Sequence, residues 1–192
     1  MLDPRIEKLA TNLLDYSVDL KEGEKILIEV TGTENQLAQE LVKKAYQREA
    51  FPFIEVNDEL LTRSFLKDVT KEQLQIMAEH HQQRMKEMDA YIGIRASQNV
   101  TQNSDIASTK MQLYMEHFSK PVHGEIRVPN TKWCVMRYPN HSMAQLANMS
   151  TEAFEDFYFD VCNLDYAKMS QAMDPLVELM AETEEVHILG PG

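Results

Sequence analysis

Arg137, Tyr138 and Pro139 place a cation, a phenol and a rigid turn side by side at the end of an apolar run, Trp133 to Arg137, that suits a β-strand. Parallel sheets bind ligands beyond the C-terminal ends of such strands, so Arg137 and Tyr138 are candidate ligand-site residues. An internal ion pair between Arg137 and a nearby carboxylate accounts for the same charge. Glu152, Asp156 and Asp160 align at i, i+4 and i+8, and carboxylates so placed can hold a divalent cation, although a solvent-exposed acidic face gives the same spacing. Gly32 and Thr33 follow a strand and could set an anion at a helix N-terminus; a plain strand-to-helix turn with a cap explains them equally.

Other chemistries lack their parts. His80 and His81 are adjacent and point to different sides of a helix, so they cannot form the i, i+4 pair of a zinc-binding H-E-x-x-H site. His81 falls in an apolar stripe and reads as a core-edge histidine. His117, His123 and His141 have no ligand spacing with carboxylates. The turn V-T-G-T-E-N-Q lacks the G-x-G-x-x-G of dinucleotide-binding folds, and neither a P-loop nor a G-x-S-x-G nucleophile elbow occurs. Cys134 and Cys162 have no histidine partner near in sequence, and they read as unpaired, buried small hydrophobes.

These residues must be positioned by alternating helices and strands. Ile6, Leu9, Ala10, Leu13 and Leu14 keep the helical period behind an Asp3 cap and Pro4. Lys25 to Val30 reads as a strand. Thr33 and Gln36 have capping-box spacing before the stripe Leu37, Ala38, Leu41, Val42 and Ala45. Phe53 to Val56 is a second strand, Thr70 and Gln73 open a helix with Leu74, Met77, Ala78, His81, Met85 and Met88 inward, and Tyr91 to Ile94 is a third strand. A helix lined by Ala107, Met111, Tyr114, Met115 and Phe118 is expected to close at Lys120-Pro121. Gly124 to Val128 could add a short strand.

After the fourth strand, Trp133 to Arg137, come a short helix at Met143 to Asn148 and one opened at Ser150 or Thr151. A last helix carries Tyr166, Met169, Met173, Leu176 and Met180 and should kink or restart at Pro175. Val186 to Leu189 reads as a final strand. Strands separated by helices require crossover connections, hence a three-layer α/β domain of about five mainly parallel strands with helices on both faces, flavodoxin- or Rossmann-like.

Composition supports a single folded domain over residues 1–192: 43% of residues are hydrophobic and 26% charged. With 19 basic against 31 acidic residues and a net charge of −12, the chain is a poor partner for nucleic acid. Between Thr151 and Glu185 only Lys168 opposes the carboxylates, a face that aids solubility and could draw in cationic groups such as a peptide ammonium. The opening lacks a basic start followed by an apolar run and no stretch reaches the length of a membrane span, so a cytoplasmic protein with no membrane partner is expected.

The stretch from Thr131 to Tyr166, TKWCVMRYPNHSMAQLANMSTEAFEDFYFDVCNLDY, adds a specific likeness. In the order W…R-Y-P…M-A-Q-L-A-x-M-S-T-E-A-F-x-D-F-Y-F-D-V-C…D-Y it resembles the N-terminal half of thermophilic metalloaminopeptidases of the AmpS/PepS type, and a weaker likeness runs from Asp3-Pro4 through Leu189. The resemblance implies a metal-dependent aminopeptidase that removes N-terminal residues from peptides, using two divalent ions (Zn, Co or Mn) held by a C-terminal catalytic domain. It implies a homodimer when full-length, no metal or catalytic ligand in this portion, and a segment in which Trp133, Arg137 and Tyr138 face the substrate chamber or the interface with that second domain. Val186 to Leu189 followed by Gly190-Pro191-Gly192 then reads as a chain cut in the turn where that second domain begins. The other reading is a freestanding flavodoxin-like module that binds a small anion or nucleotide near Gly32 and Ser97 to Asn99.

Overall fold

A computed structural model describes residues 3–190. Asp3 caps the first helix, α1 (Pro4–Asn12), by accepting from the Arg5 backbone N–H at 2.8 Å, and a wider π-type turn carries it on through Leu13–Ser17. Strand β1 (Lys25–Gly32), α2 (Gln36–Gln47) and β2 (Phe51–Asn57) follow, then α3 (Glu59–Asp68) and α4 (Lys71–Lys86). Next come β3 (Ala90–Ala96), α5 (Ser108–Tyr114) with a π-helical continuation over Met115–Arg127, a short α6 (Val128–Asn130) and β4 (Lys132–Arg137). The helices α7 (His141–Leu146), α8 (Thr151–Cys162) and α9 (Tyr166–Glu182) complete the described elements.

The strands form one parallel sheet in the order β2-β1-β3-β4. The chain leaves β1 for β2 on one side and returns past β1 to β3 on the other, so the order reverses between β1 and β3. A crevice opens beyond the strand ends at such a reversal. Period-2 alternation divides β1 between two cores. Ile26, Ile28 and Val30 join Ile92 and Ile94 of β3 under α1, α2 and Phe159 of α8, whereas Leu27 and Tyr91 meet Met85, Met88 and Ile126 on the opposite face. A third cluster, including Leu66, Leu74, Phe118 and Val122, ties α3 and α4 to the π-helix. This is the expected three-layer α/β architecture.

Besides α3, which the sequence did not lead one to expect, four particulars differ from the sequence reading. Val186 to Leu189 is not a strand among the described residues; Ile188 and Leu189 are 91% and 95% exposed, and an apolar run without a neighbouring ladder gains nothing by extending. The turn expected after it lies partly outside the described residues, at Pro191 and Gly192. The helix expected to stop at Lys120-Pro121 continues to Arg127, and this absorbs the segment that could have been an extra strand. There the widened winding, with the Val128 N–H reaching the His123 carbonyl, relieves the clash a proline ring makes in a normal α-helix. At α2 the Thr33/Gln36 capping box is absent: Asn35 holds the cap position and the Glu34 carboxylate accepts from the Leu37 N–H at 2.6 Å. Helix α9 runs through Pro175 without restarting, and it buries no residue. No helix of the described residues is long and apolar enough to cross a membrane.

Candidate functional site, a cleft at the sheet's C-terminal edge

On the α4 side of the sheet the alternating positions turn polar toward the strand ends. Glu29 and Thr31 of β1, Glu55 and Asn57 of β2, Arg95 of β3 and Arg137 of β4 share that face. They line a cleft of about 630 Å³, closed on its far side by α3, α4 and the π-helix through Phe65, Met77 and Phe118.

At its base sits Glu29, 8% exposed. Its Oε1 accepts from Arg95 Nη1 at 2.9 Å, and its Oε2 accepts from the Tyr91 hydroxyl at 3.0 Å and from Arg127 Nη2 at 3.3 Å. Arg95 also donates to Thr31 Oγ1 at 2.9 Å. The Arg127 guanidinium stacks 3.4 Å from the centre of the Tyr91 ring. Gly93 makes that arrangement possible, since a Cβ there would meet the Tyr91 hydroxyl at 2.7 Å. Burial pushes the Glu29 carboxyl up, but the charges of Arg95 and Arg127 and the Tyr91 hydrogen bond outweigh it and hold it below the usual carboxylate range. Burial, and then the Glu29 charge, raise the Tyr91 phenol.

Two histidines flank this group. His123 is pushed down to about 4 by burial and by the Arg127 charge, and its Nδ1 is buried with no hydrogen-bond partner among the described residues. His81 lies 3.9 Å from Glu55 and edge-on to Phe118 at 5.0 Å, and burial lowers it too. Glu55 is ion-paired with Arg84. Arg127 Nε, like His123 Nδ1, has no partner among the described residues. At the base of the cleft two guanidinium groups therefore share one carboxylate, a local excess of positive charge, while Glu59 lines the cleft with its Oε2 likewise buried and without a partner among the described residues.

The three sequence candidates part company here. Arg137 is exposed, lines the cleft and forms no ion pair among the described residues, whereas every other arginine is paired. Trp133 lies on the same face of β4, 46% exposed, but outside the cleft. Tyr138 turns to the opposite face, half-buried against the core and edge-on to Phe159 at 6.4 Å; burial raises its phenol. Asp156 of the aligned carboxylates pairs with Arg5 at 2.6 Å, and Cys134 and Cys162 are free thiols raised by burial. The Gly32 turn holds no open anion site: Glu34 already occupies the α2 N-terminus, and a Cβ on Gly32 would meet the Ala96 carbonyl oxygen at 2.4 Å. Glu29, Tyr91, Arg95 and Arg127 escaped the sequence reading. Their signal was a charge set into an apolar run, as in KILIEV and YIGIR.

A family profile described as thermophilic metalloprotease (M29) matches residues 2–186. The chain belongs to the M29 family. Among solved structures, wild-type AmpT from Thermus thermophilus is similar to this M29 chain at 17% identity with a TM-score of 0.65, over 85% of this chain and 43% of AmpT. The likeness shows the same fold, and the chain spans less than half the length of AmpT. An alcohol dehydrogenase superfamily protein from Novosphingobium aromaticivorans aligns over 85% of this chain and 49% of its own at 11% identity, with a TM-score of 0.34, too low for a shared fold. A search of curated proteins returns no match.

M29 membership implies divalent metal chemistry, but the cleft residues do not fit a metal. The Glu29 oxygens are taken by cationic and hydroxyl donors, Glu55 is held by Arg84, and no three His, Cys, Asp or Glu side chains among the described residues are grouped to ligate one.

Proposed function

We propose that this chain serves as the N-terminal domain of a metal-dependent aminopeptidase, which hydrolyses N-terminal residues from peptides with two divalent ions (Zn, Co or Mn) held in a second, catalytic domain. The observation that carries the reading is the M29 match across residues 2–186 together with a fold shared over 43% of AmpT. In this reading the cleft forms one wall of the substrate chamber, with Arg137 on it and Trp133 beside it, and the domain supports a homodimer. Exposed apolar side chains lend support, because a surface shaped for a partner presents them: Phe157, Leu176, Val177 and Leu179 are all more than half exposed.

The chain's own residues supply shape and charge in this arrangement. Glu29 fixes Arg95 and Arg127, the α3/α4 wall shields the cleft's inner side, and the open sheet edge admits an extended peptide. The test compares this 192-residue chain with the product of the whole reading frame that contains it, using a leucyl chromogenic substrate with Zn²⁺, Co²⁺ or Mn²⁺. Chelator-sensitive turnover by the longer protein and none by the chain is expected. Metal-stimulated turnover by the purified chain would place catalysis within these residues and overturn the proposal.

A further inference from the structure

Arg95 and Arg137 are register partners on neighbouring parallel strands, so two guanidinium side chains project from the same face with their strands about 4.8 Å apart. Like charges set side by side cost stability, and Arg137 has no ion pair among the described residues to offset it, while the Glu29 carboxylate is already shared by Arg95 and Arg127. A fold keeps such a local conflict where a ligand resolves it. From this geometry we infer that the cleft binds a carboxylate, namely the C-terminal carboxylate of a short peptide, in the fork between Arg137 and the outer edge of Arg95. The inference deepens the peptidase reading by naming which end of the substrate this wall holds.

The surroundings favour a monoanion with a peptide-like body over a phosphate. Glu59 also lines the cleft, its Oε1 accepting from the Gln98 N–H and its Oε2 buried without a partner among the described residues, and it would repel a second charge; the α2 N-terminus that would cradle a phosphate is filled by Glu34. Leu61, Phe65 and Met77 give the wall apolar surface for side chains, and a volume of about 630 Å³ accommodates a di- or tripeptide. Arg forks bind carboxylates in two parallel hydrogen bonds, and a bond to an ionised group is the strong kind.

Calorimetry on the 192-residue chain tests this with Leu-Gly-Gly as the free acid, its C-terminal amide, its N-acetyl form and inorganic phosphate. The acid should bind saturably. Amidation and Arg137→Gln should each weaken binding about tenfold or more, N-acetylation should change it less than about twofold, and Arg48→Gln on the opposite face should leave it unchanged. The Arg137 side chain makes no hydrogen bond or ion pair among the described residues that its loss would break, and a thermal melt verifies that the variant is folded. Equal affinity for acid and amide, absence of saturable binding, an Arg137→Gln variant that binds like the parent, or equal weakening by Arg48→Gln would each overturn the site. Phosphate competing as well as the peptide acid would overturn the peptide assignment. Binding of the acid by this chain alongside an inactive longer protein would uphold the site and defeat the peptidase reading, whereas turnover without preference for the acid would do the reverse.

Discussion

Replacing Glu29 by Gln removes one negative charge from between two guanidinium groups while changing shape little. The amide would turn its NH₂ toward Arg95, whose side chain is 36% exposed and can take water, and keep its carbonyl where Oε2 accepts from Tyr91 and Arg127. The cost then falls on Arg127, whose side chain is 6% exposed and would keep only a neutral acceptor and the Tyr91 ring. Removing one partner of a buried ion pair costs about 3–5 kcal/mol, and the surviving carbonyl and ring place this case near the bottom of that range, about 3 kcal/mol. For a domain of this size that lowers Tm by about 6–12 °C. Tyr91→Phe, which deletes one hydrogen bond and leaves the charges in place, should cost about 1 kcal/mol. Because the folded Glu29 carboxyl lies below its unfolded value, its contribution is full above about pH 4.3 and is lost as pH falls through the folded value. The gap between parent and Glu29→Gln should therefore narrow in acid. Urea titrations at pH 7 and pH 3.5, followed by far-UV circular dichroism, measure both effects. A Glu29→Gln loss under about 1 kcal/mol at pH 7, or one smaller than that of Tyr91→Phe, would show that the carboxylate does not hold the arginines in place.

Gly32→Ala should cost at least about 2 kcal/mol in the same titrations, because its φ of 101° and the Ala96 carbonyl 2.4 Å from an added Cβ leave no relaxed geometry; a change under about 0.5 kcal/mol would contradict the close approach. His123 is held neutral, so its contribution is present above its unfolded value of about 6.5 and is lost as pH falls toward its folded value of about 4. His123→Gln should flatten stability against pH across that window, and an unchanged slope would remove the histidine from account. Amide hydrogen exchange in the 192-residue chain should be far faster along α9, which buries nothing, than along α2, which buries Leu37 and Leu41 completely; equal protection would mean that α9 is docked.

The parts of the fold legible in the sequence are those decided within a few residues or by a strong period. Thr70 and Gln73 read as a capping box and form one, the Gln73 N–H donating to Thr70 Oγ1 at 3.3 Å and the Thr70 N–H to Gln73 Oε1 at 2.9 Å. Thr33 and Gln36 have the same spacing and fail, because Glu34 reaches the first turn instead. Helix α3 was not anticipated: Leu60 is exposed, Leu61 turns to the open cleft and only Leu66 is buried, so its apolar stripe is faint and the Asp58 cap was its one clear mark. Val186 to Leu189 has strand composition, but a strand is completed by a partner that composition does not name. The cleft was least legible. Arg95 and Arg127 meet Glu29 from 66 and 98 residues away, and only the parallel register and the π-helix bring them together. Arg137 was singled out by its place after a strand, a local cue, yet its neighbour Arg95 is revealed only by β3–β4 pairing.

Gly93 carries a consequence for how this chain can diverge. Its missing side chain is the space into which Tyr91 leans, and that ring in turn supports Arg127 and reaches Glu29. The two positions therefore inherit one another's size. A lineage that enlarges residue 93 must first shrink residue 91 and so lose the seat of the buried arginine, while one that keeps the tyrosine is bound to the glycine. Substitutions at 91 and 93 should appear as pairs across descendants of this sequence, with the charge at 29 and 127 surviving or vanishing in step with them.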